Sequence, residues 1–182
     1  MTEVRSALPS RRTIAMGAAW SVPVMAVAAA APALAASAPG PTAVLGEACK
    51  SPGGSCKVFV KGYIFEITIV NNTPETVWLY DDIVITDDSP SIDLAFAQAI
   101  DPATGETVDF PVRLDPGDSV TFILNASSSD SANQQGVTVT ASIPWGHSSV
   151  EGGDPDNHAP IMAVKTYPAT PPTCGIKLPP GC

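Results

Sequence analysis

The chain has 182 residues with 18 acidic and nine basic side chains, so its formal net charge at pH 7 is −9. Apolar residues make up 45% of the chain and aromatic residues 6%, which is enough for one hydrophobic core and argues against intrinsic disorder. The acidic balance offers no electrostatic attraction to the phosphates of nucleic acids, so we expect no nucleic-acid partner.

The first 35 residues are predicted to be a signal peptide. Arg5, Arg11 and Arg12 precede an Ala-rich apolar run over residues 14–31, and a basic start followed by an apolar segment is typical of export signals. The pair Arg11-Arg12 lies in the sequence Ser-Arg-Arg-Thr-Ile, which resembles the twin-arginine export motif. A general secretory signal that carries two adjacent arginines is the alternative.

Small residues after the apolar run predict where the signal peptide is removed. Ala33-Leu34-Ala35 fits the small-x-small rule, so we expect cleavage after Ala35. Retention of the run as a membrane anchor is the alternative, but Pro23 and Pro32 make it a poor span, and we expect no transmembrane segment in the mature chain. Removal of residues 1–35 leaves six basic and 17 acidic residues, a net charge of 6 − 17 = −11.

Four cysteines lie in the part predicted to be exported, where disulfides persist. They are Cys49, Cys56, Cys174 and Cys182. We predict two local bonds, one closing each pair, because Pro-Gly turns lie between the paired positions. A bond between the beginning and the end of the domain is the second possibility. A metal site is the third, although the spacing lacks the paired C-x-x-C units of zinc sites.

Alternation of apolar and polar residues dominates the mature chain and predicts half-buried strands. Seven segments show it, at residues 63–69, 76–86, 91–100, 108–114, 120–124, 137–145 and 161–167. The third also fits a helical face, but the following Asp-Pro-Ala-Thr-Gly is a hairpin connection, which favours a strand. Asp81-Asp82 marks an exposed or bulged middle of the second segment.

These segments predict an all-β fold, an antiparallel two-sheet sandwich of about seven strands. The expected organisation is a signal peptide over residues 1–35 and a Pro/Gly-rich lead-in with a cysteine pair over 36–56. The sandwich follows over 57–168, and a Pro-rich, cysteine-containing tail over 169–182 ends the chain.

Two segments carry a resemblance to a known group of domains. Residues 63–72, a strand that ends in Asn-Asn, and residues 114–122, with a Leu-Asp-Pro-Gly-Asp turn, resemble the immunoglobulin-like repeats of bacterial surface and secreted proteins, including the DUF11 and CARDB types. The resemblance spans residues 57–145 and implies that the two-sheet sandwich is immunoglobulin-like and that it is a spacer, adhesive or binding module with no catalytic residues. The chain departs from antibody domains because no cysteine pair brackets a central tryptophan.

The two histidines fall in one loop with several acidic residues. His147 and His158 accompany Glu151, Asp154 and Asp156 there, and imidazole with carboxylate is a ligand set for a divalent metal. We interpret the loop as a solvated polar loop and expect no metal. Asp154, Asp156 and His158 are the candidate ligands if one binds.

Further acidic pairs could in principle chelate calcium, which prefers six or more oxygen ligands. They occur at residues 81–82, 87–88 and 154–157. No D-x-D-x-D-G loop is present, and we interpret these residues as solvated faces and turn caps.

Trp78 and Tyr80 alternate on the face of the second strand opposite Val77 and Leu79. They are the candidate binding residues, because an exposed aromatic strip could stack on sugar rings. The alternative is that a loop covers the strip.

The composition and motifs therefore favour a secreted or envelope-associated, non-catalytic module with a structural, adhesive or interaction role and no cofactor. Its expected partner is an unidentified envelope or extracellular molecule. A small secreted carbohydrate- or calcium-binding protein is the alternative, and a hydrolase that uses His147 or His158 is a third hypothesis.

Overall fold

The structure is a computed structural model that describes residues 40–52, 56–90, 92–128, 136–168, 175–180 and 182. These residues belong to the compact unit Ala38–Cys182, one of two into which the chain divides. Arg11, Arg12 and the predicted cleavage position after Ala35 lie outside the described residues, as does Cys174. Within the described part, no helix is long and apolar enough to cross a membrane.

Ten β-strands and no helix form the regular structure of the described residues. They are β1 (Thr42–Lys50), β2 (Gly62–Val70), β3 (Val77–Leu79), β4 (Val84–Asp87), β5 (Ala95–Ile100), β6 (Val112–Leu114), β7 (Ser119–Ser127), β8 (Val137–Ile143), β9 (Trp145–Gly146) and β10 (Ile161–Tyr167). Every strand pairing is antiparallel, which confirms the predicted fold class.

The first sheet has the strand order β1-β2-β7-β5. Its central strand β2 pairs along its whole length with β7, from Gly62 opposite Ser127 to Val70 opposite Ser119. The apolar face predicted for β2, which consists of Tyr63, Phe65, Ile67 and Ile69, is fully buried. Alternate residues of a strand point to opposite faces, so this pattern directs β2 to the core.

The second layer consists of two short sheets, β10-β8-β4 and β6-β3-β9. The predicted second strand is divided into β3 and β4, and the predicted sixth into β8 and β9. Pro144 separates β8 from β9 because it has no N–H for the ladder, although its carbonyl accepts a hydrogen bond from Tyr80 N at 3.0 Å. Asp81 and Asp82 are exposed in the irregular segment between β3 and β4, as predicted.

One hydrophobic core receives side chains from all three sheets, so the layers face each other across it. Phe65 of β2 and Tyr167 of β10 meet there with ring centroids 5.8 Å apart. The orders β1-β2-β7-β5 and β10-β8-β4 correspond to the A-B-E-D and G-F-C strands of an immunoglobulin constant-type sandwich. Ten strands replace the predicted seven because two predicted strands are divided and β1 lies in the predicted lead-in.

A second, smaller apolar cluster covers the outer face of the first sheet. Its buried members are Cys49, Cys56, Phe59, Ile64, Ile100, Ile123 and Ile176. The cluster joins sheet residues to part of the predicted lead-in and to Ile176 of the predicted tail. The described residues of both segments are therefore parts of the domain and not appendages to it.

The predicted pairing of the cysteines in two local loops is wrong. Cys56 is bonded to Cys182, 126 positions away in the sequence, and Cys49 is also disulfide-bonded. Cys49 lies in β1 opposite Ile64, while Cys56 is buried in the second cluster with Ile176. The Pro-Gly signals describe only local turns, whereas packing on the outer face of the sheet brings Cys56 to the end of the chain.

Candidate functional site

The loop between β9 and β10, residues 147–160, is organised around the carboxylate of Asp154. Its Oδ2 accepts a hydrogen bond from the backbone N–H of His147, and its Oδ1 accepts one from Asp156 N at 2.9 Å. These hydrogen bonds hold the pKa of Asp154 below its usual range, and the bond from His147 has the larger effect. The side chain is only 8% exposed, so the interpretation of the whole loop as solvated is wrong for this residue.

Both histidines lie beside Asp154. His158 Nε2 is 3.2 Å from Asp154 Oδ2, and His147 Nδ1 is 3.0 Å from the carbonyl oxygen of Thr76. A carbonyl only accepts hydrogen bonds, so Nδ1 of His147 is the donor in this contact. A nitrogen of each imidazole and an oxygen of Asp154 lie within 4.8 Å of one another.

Trp145 fixes the orientation of these rings. Its indole stacks on His158 with centroids 4.2 Å apart and an interplanar angle of 27°. It meets His147 edge to face at 5.5 Å, and its Nε1 donates to Ala159 O at 2.9 Å. The imidazoles are therefore held by packing as well as by hydrogen bonds.

An open cavity of about 450 Å³ adjoins the cluster. Its lining residues include Tyr80, Asp82, Pro144, Trp145, Glu151, Asp154, Asp156, Asn157 and His158. Four of these side chains are carboxylates. Glu151 is exposed, and the pKa of its carboxyl is raised by a loss of hydration and then by the negative charges of Asp82 and Asp81. This crowding of like charges makes the cavity attractive to cations.

Two of the three candidate metal ligands predicted from the sequence lie together in the structure, and His147 is the third member of their cluster. Asp154 and His158 belong to the cluster with His147, whereas Asp156 lines the cavity but is not a member. The stacking role of Trp145 was missed because alternation assigned it only to a strand. The spacing of His147, Asp154 and His158 was visible in the sequence, but spacing in a loop does not determine side-chain distances.

Trp78 and Tyr80 do not form the predicted exposed strip. Tyr80 is only 5% exposed, and its hydroxyl donates to Ser148 O at 2.8 Å. Burial is the main cause that raises the pKa of this phenol. Trp78 is half-buried. The β9–β10 loop covers Tyr80, so the alternative, that a loop covers the strip, holds for this residue.

The pair Asp87 and Asp88 caps backbone groups, as interpreted from the sequence. Asp87 accepts hydrogen bonds from the backbone N–H groups of Ser89 and Leu94. Asp88 accepts one from Thr138 N at 2.7 Å, and this bond is the main cause that lowers its pKa. The carboxylates of both residues thus have structural partners at the end of β4.

No protein-family model, curated protein or solved structure matches this chain. The resemblance to bacterial immunoglobulin-like repeats stays a prediction beyond the level of the fold.

Proposed function

We propose that the protein is an exported, non-catalytic immunoglobulin-like module that acts at or outside the cell envelope by binding a ligand. The cavity beside the β9–β10 loop is the observation that carries this proposal. A sandwich frame supports its walls, and four carboxylates with a stacked Trp145 and His158 line it. A concave site with convergent polar groups is the usual form of a ligand site.

Export is supported by the oxidation state of the cysteines together with the leader pattern. Cys56 and Cys182 are bonded, and Cys49 is disulfide-bonded as well. Such bonds persist outside the reducing cytoplasm. The basic start, apolar run and Ala33-Leu34-Ala35 of the first 35 residues agree with this compartment.

A binding role fits the site better than hydrolysis. The Ser148 hydroxyl accepts a hydrogen bond from Val150 N at 3.1 Å, as part of a loop turn. Asp154 is engaged by backbone N–H groups, and His147 by a carbonyl. These groups stabilise the loop, and the acidic cavity beside them favours a cationic ligand.

Intact mass spectrometry of the native protein, recovered separately from medium and envelope, tests the export part. We expect a form beginning at Ala36 whose mass is about 4 Da below that of its reduced form, because two disulfides remove four hydrogens. A full-length, reduced chain confined to the cytoplasm would contradict the proposal.

Hydrolase activity that is lost in His147→Ala or His158→Ala would contradict the non-catalytic role.

A further inference from the structure

We propose that His147, Asp154 and His158 bind a divalent transition-metal ion, with Zn²⁺ as the best fit. This inference rests on the proposed binding role of the cavity and names the chemical class of its ligand. Two imidazole nitrogens and one carboxylate oxygen are a common donor set for three-ligand zinc sites, which leave a fourth position for water or another molecule.

The distances allow such a site with small movements. The three ligand atoms lie within 4.8 Å of one another, whereas a tetrahedral zinc site with bonds of about 2.0–2.1 Å needs separations of roughly 3.3 Å. Side-chain movements of roughly 1 Å close this difference. Asp154 and His158 also line the cavity, so the metal can take its fourth ligand from solvent or from a partner.

Neighbouring residues orient the two histidine rings in the way that is usual for metal-binding histidines. Metal-binding histidines usually donate their second ring N–H to a carbonyl or carboxylate, and His147 Nδ1 makes this contact with Thr76 O at 3.0 Å. Trp145 stacks on His158. A metal ion on His158 Nε2 would require the ring to carry its one proton on Nδ1, so the proton that contacts Asp154 Oδ2 would move from Nε2 to Nδ1 through solvent and none would be lost overall.

The donor set also separates this site from a calcium site. Ca²⁺ is a hard cation that takes six to eight oxygen ligands, and two of the three groups here are imidazoles. The neighbouring carboxylates Asp82, Glu151 and Asp156 attract any cation to the cavity. Carboxylates alone would attract hard cations such as Ca²⁺ as well as Zn²⁺. The two imidazoles make the site selective for Zn²⁺, because imidazole is a ligand for zinc and not for calcium.

Zinc binding to the purified protein, prepared without a histidine tag and dialysed against EDTA, tests the proposal. We expect about one Zn²⁺ per chain, a raised melting temperature, and binding that survives millimolar Ca²⁺. His158→Gln removes a ligand without changing the formal charge, and we expect it to raise the Kd for Zn²⁺ at least about tenfold. Asp156→Asn removes one of the carboxylates that attract cations to the cavity but removes no ligand, so we expect it to raise the Kd by about threefold at most, well below the effect of His158→Gln.

The two variants make non-specific binding by the acidic cavity recognisable. Such binding would be unchanged in His158→Gln and weakened in Asp156→Asn, and this reversed order would overturn the proposal. Displacement of Zn²⁺ by Ca²⁺, or no bound zinc in the folded wild type, would do so as well. Circular dichroism confirms that each variant is folded, and His147→Gln provides a second ligand variant.

Failure of the metal site is distinguishable from failure of the proposed function. A processed, disulfide-bonded protein that does not bind zinc overturns the metal site alone. A reduced, full-length cytoplasmic chain overturns export, whatever its affinity for zinc.

Discussion

At the scale of single residues, two buried asparagines link loops to the sheets. Asn71 is fully buried: its Nδ2 donates to Glu75 O and Leu114 O, and its Oδ1 accepts from Thr73 N. Asn125 is fully buried too, and its amide bonds backbone groups of Val60. Buried polar side chains of this kind stabilise the fold only while all their partners are present.

We predict that Asn71→Ala lowers the free energy of unfolding by about 3 kcal/mol, because it leaves buried backbone groups without a partner. Asn72→Ala is the matched control, since Asn72 is the exposed neighbour and should change stability by less than about 0.5 kcal/mol. Urea denaturation of both variants measures the difference. Equal losses would show that the hydrogen bonds of Asn71 do not stabilise the turn.

At the scale of elements, the close approach of β2 and β7 depends on one glycine. Gly62 begins β2 with a φ of +153°. A Cβ there would lie 2.0 Å from the carbonyl oxygen of Ala126 and 2.9 Å from Ser127 Cα. Only glycine fits this start of the strand, because the neighbouring atoms belong to backbone.

Substitution of Gly62 should therefore lower the free energy of unfolding by more than the unfavourable φ alone would, because the added Cβ also clashes with the backbone of β7. We predict that Gly62→Ala lowers the free energy of unfolding by about 3 kcal/mol or more, since the central strand pair must separate. Gly117→Ala is the control: its φ is +85°, but its Cβ would meet no atom within 4 Å, so the expected loss is about 1–2 kcal/mol. Thermal unfolding of both variants compares them, and a smaller loss in Gly62→Ala would refute the steric argument.

At the scale of the whole molecule, a disulfide and a second apolar cluster tie the end of the chain to the first sheet. Cys56 and Ile176 are buried together on the outer face of that sheet, and the bond from Cys56 to Cys182 closes a loop of 126 positions. A loop of this length restricts the unfolded chain by about 5 kcal/mol in the chain-entropy model, against about 2.5 kcal/mol for an eight-residue loop.

We predict that the double variant Cys56→Ser with Cys182→Ser loses between about 2 and 5 kcal/mol of unfolding free energy, because the disulfide at Cys49 remains and still restricts the unfolded chain. Peptide mapping without reduction should recover Cys56 and Cys182 in one linked pair. A linked pair of Cys49 with Cys56, or of Cys174 with Cys182, would contradict the observed bond and restore the local-loop prediction.

The sequence by itself determined the fold class and most of the strands. Alternation in β2 and β8 predicts both the strand and its buried face, because a period of two is a property of the extended backbone itself. The exposed Asp81-Asp82 segment and the capping of Ser89 N by Asp87 were also predicted, since turn chemistry acts over a few neighbouring residues.

Only the tertiary structure decided which distant residues meet. The bond of Cys56 to Cys182, the burial of Tyr80 beneath the β9–β10 loop, and the cluster of His147, Asp154 and His158 all depend on packing between segments. Local patterns specify the direction of a side chain relative to its own strand. They do not specify which loop folds over that side chain, because loop positions follow from contacts with the assembled sheets.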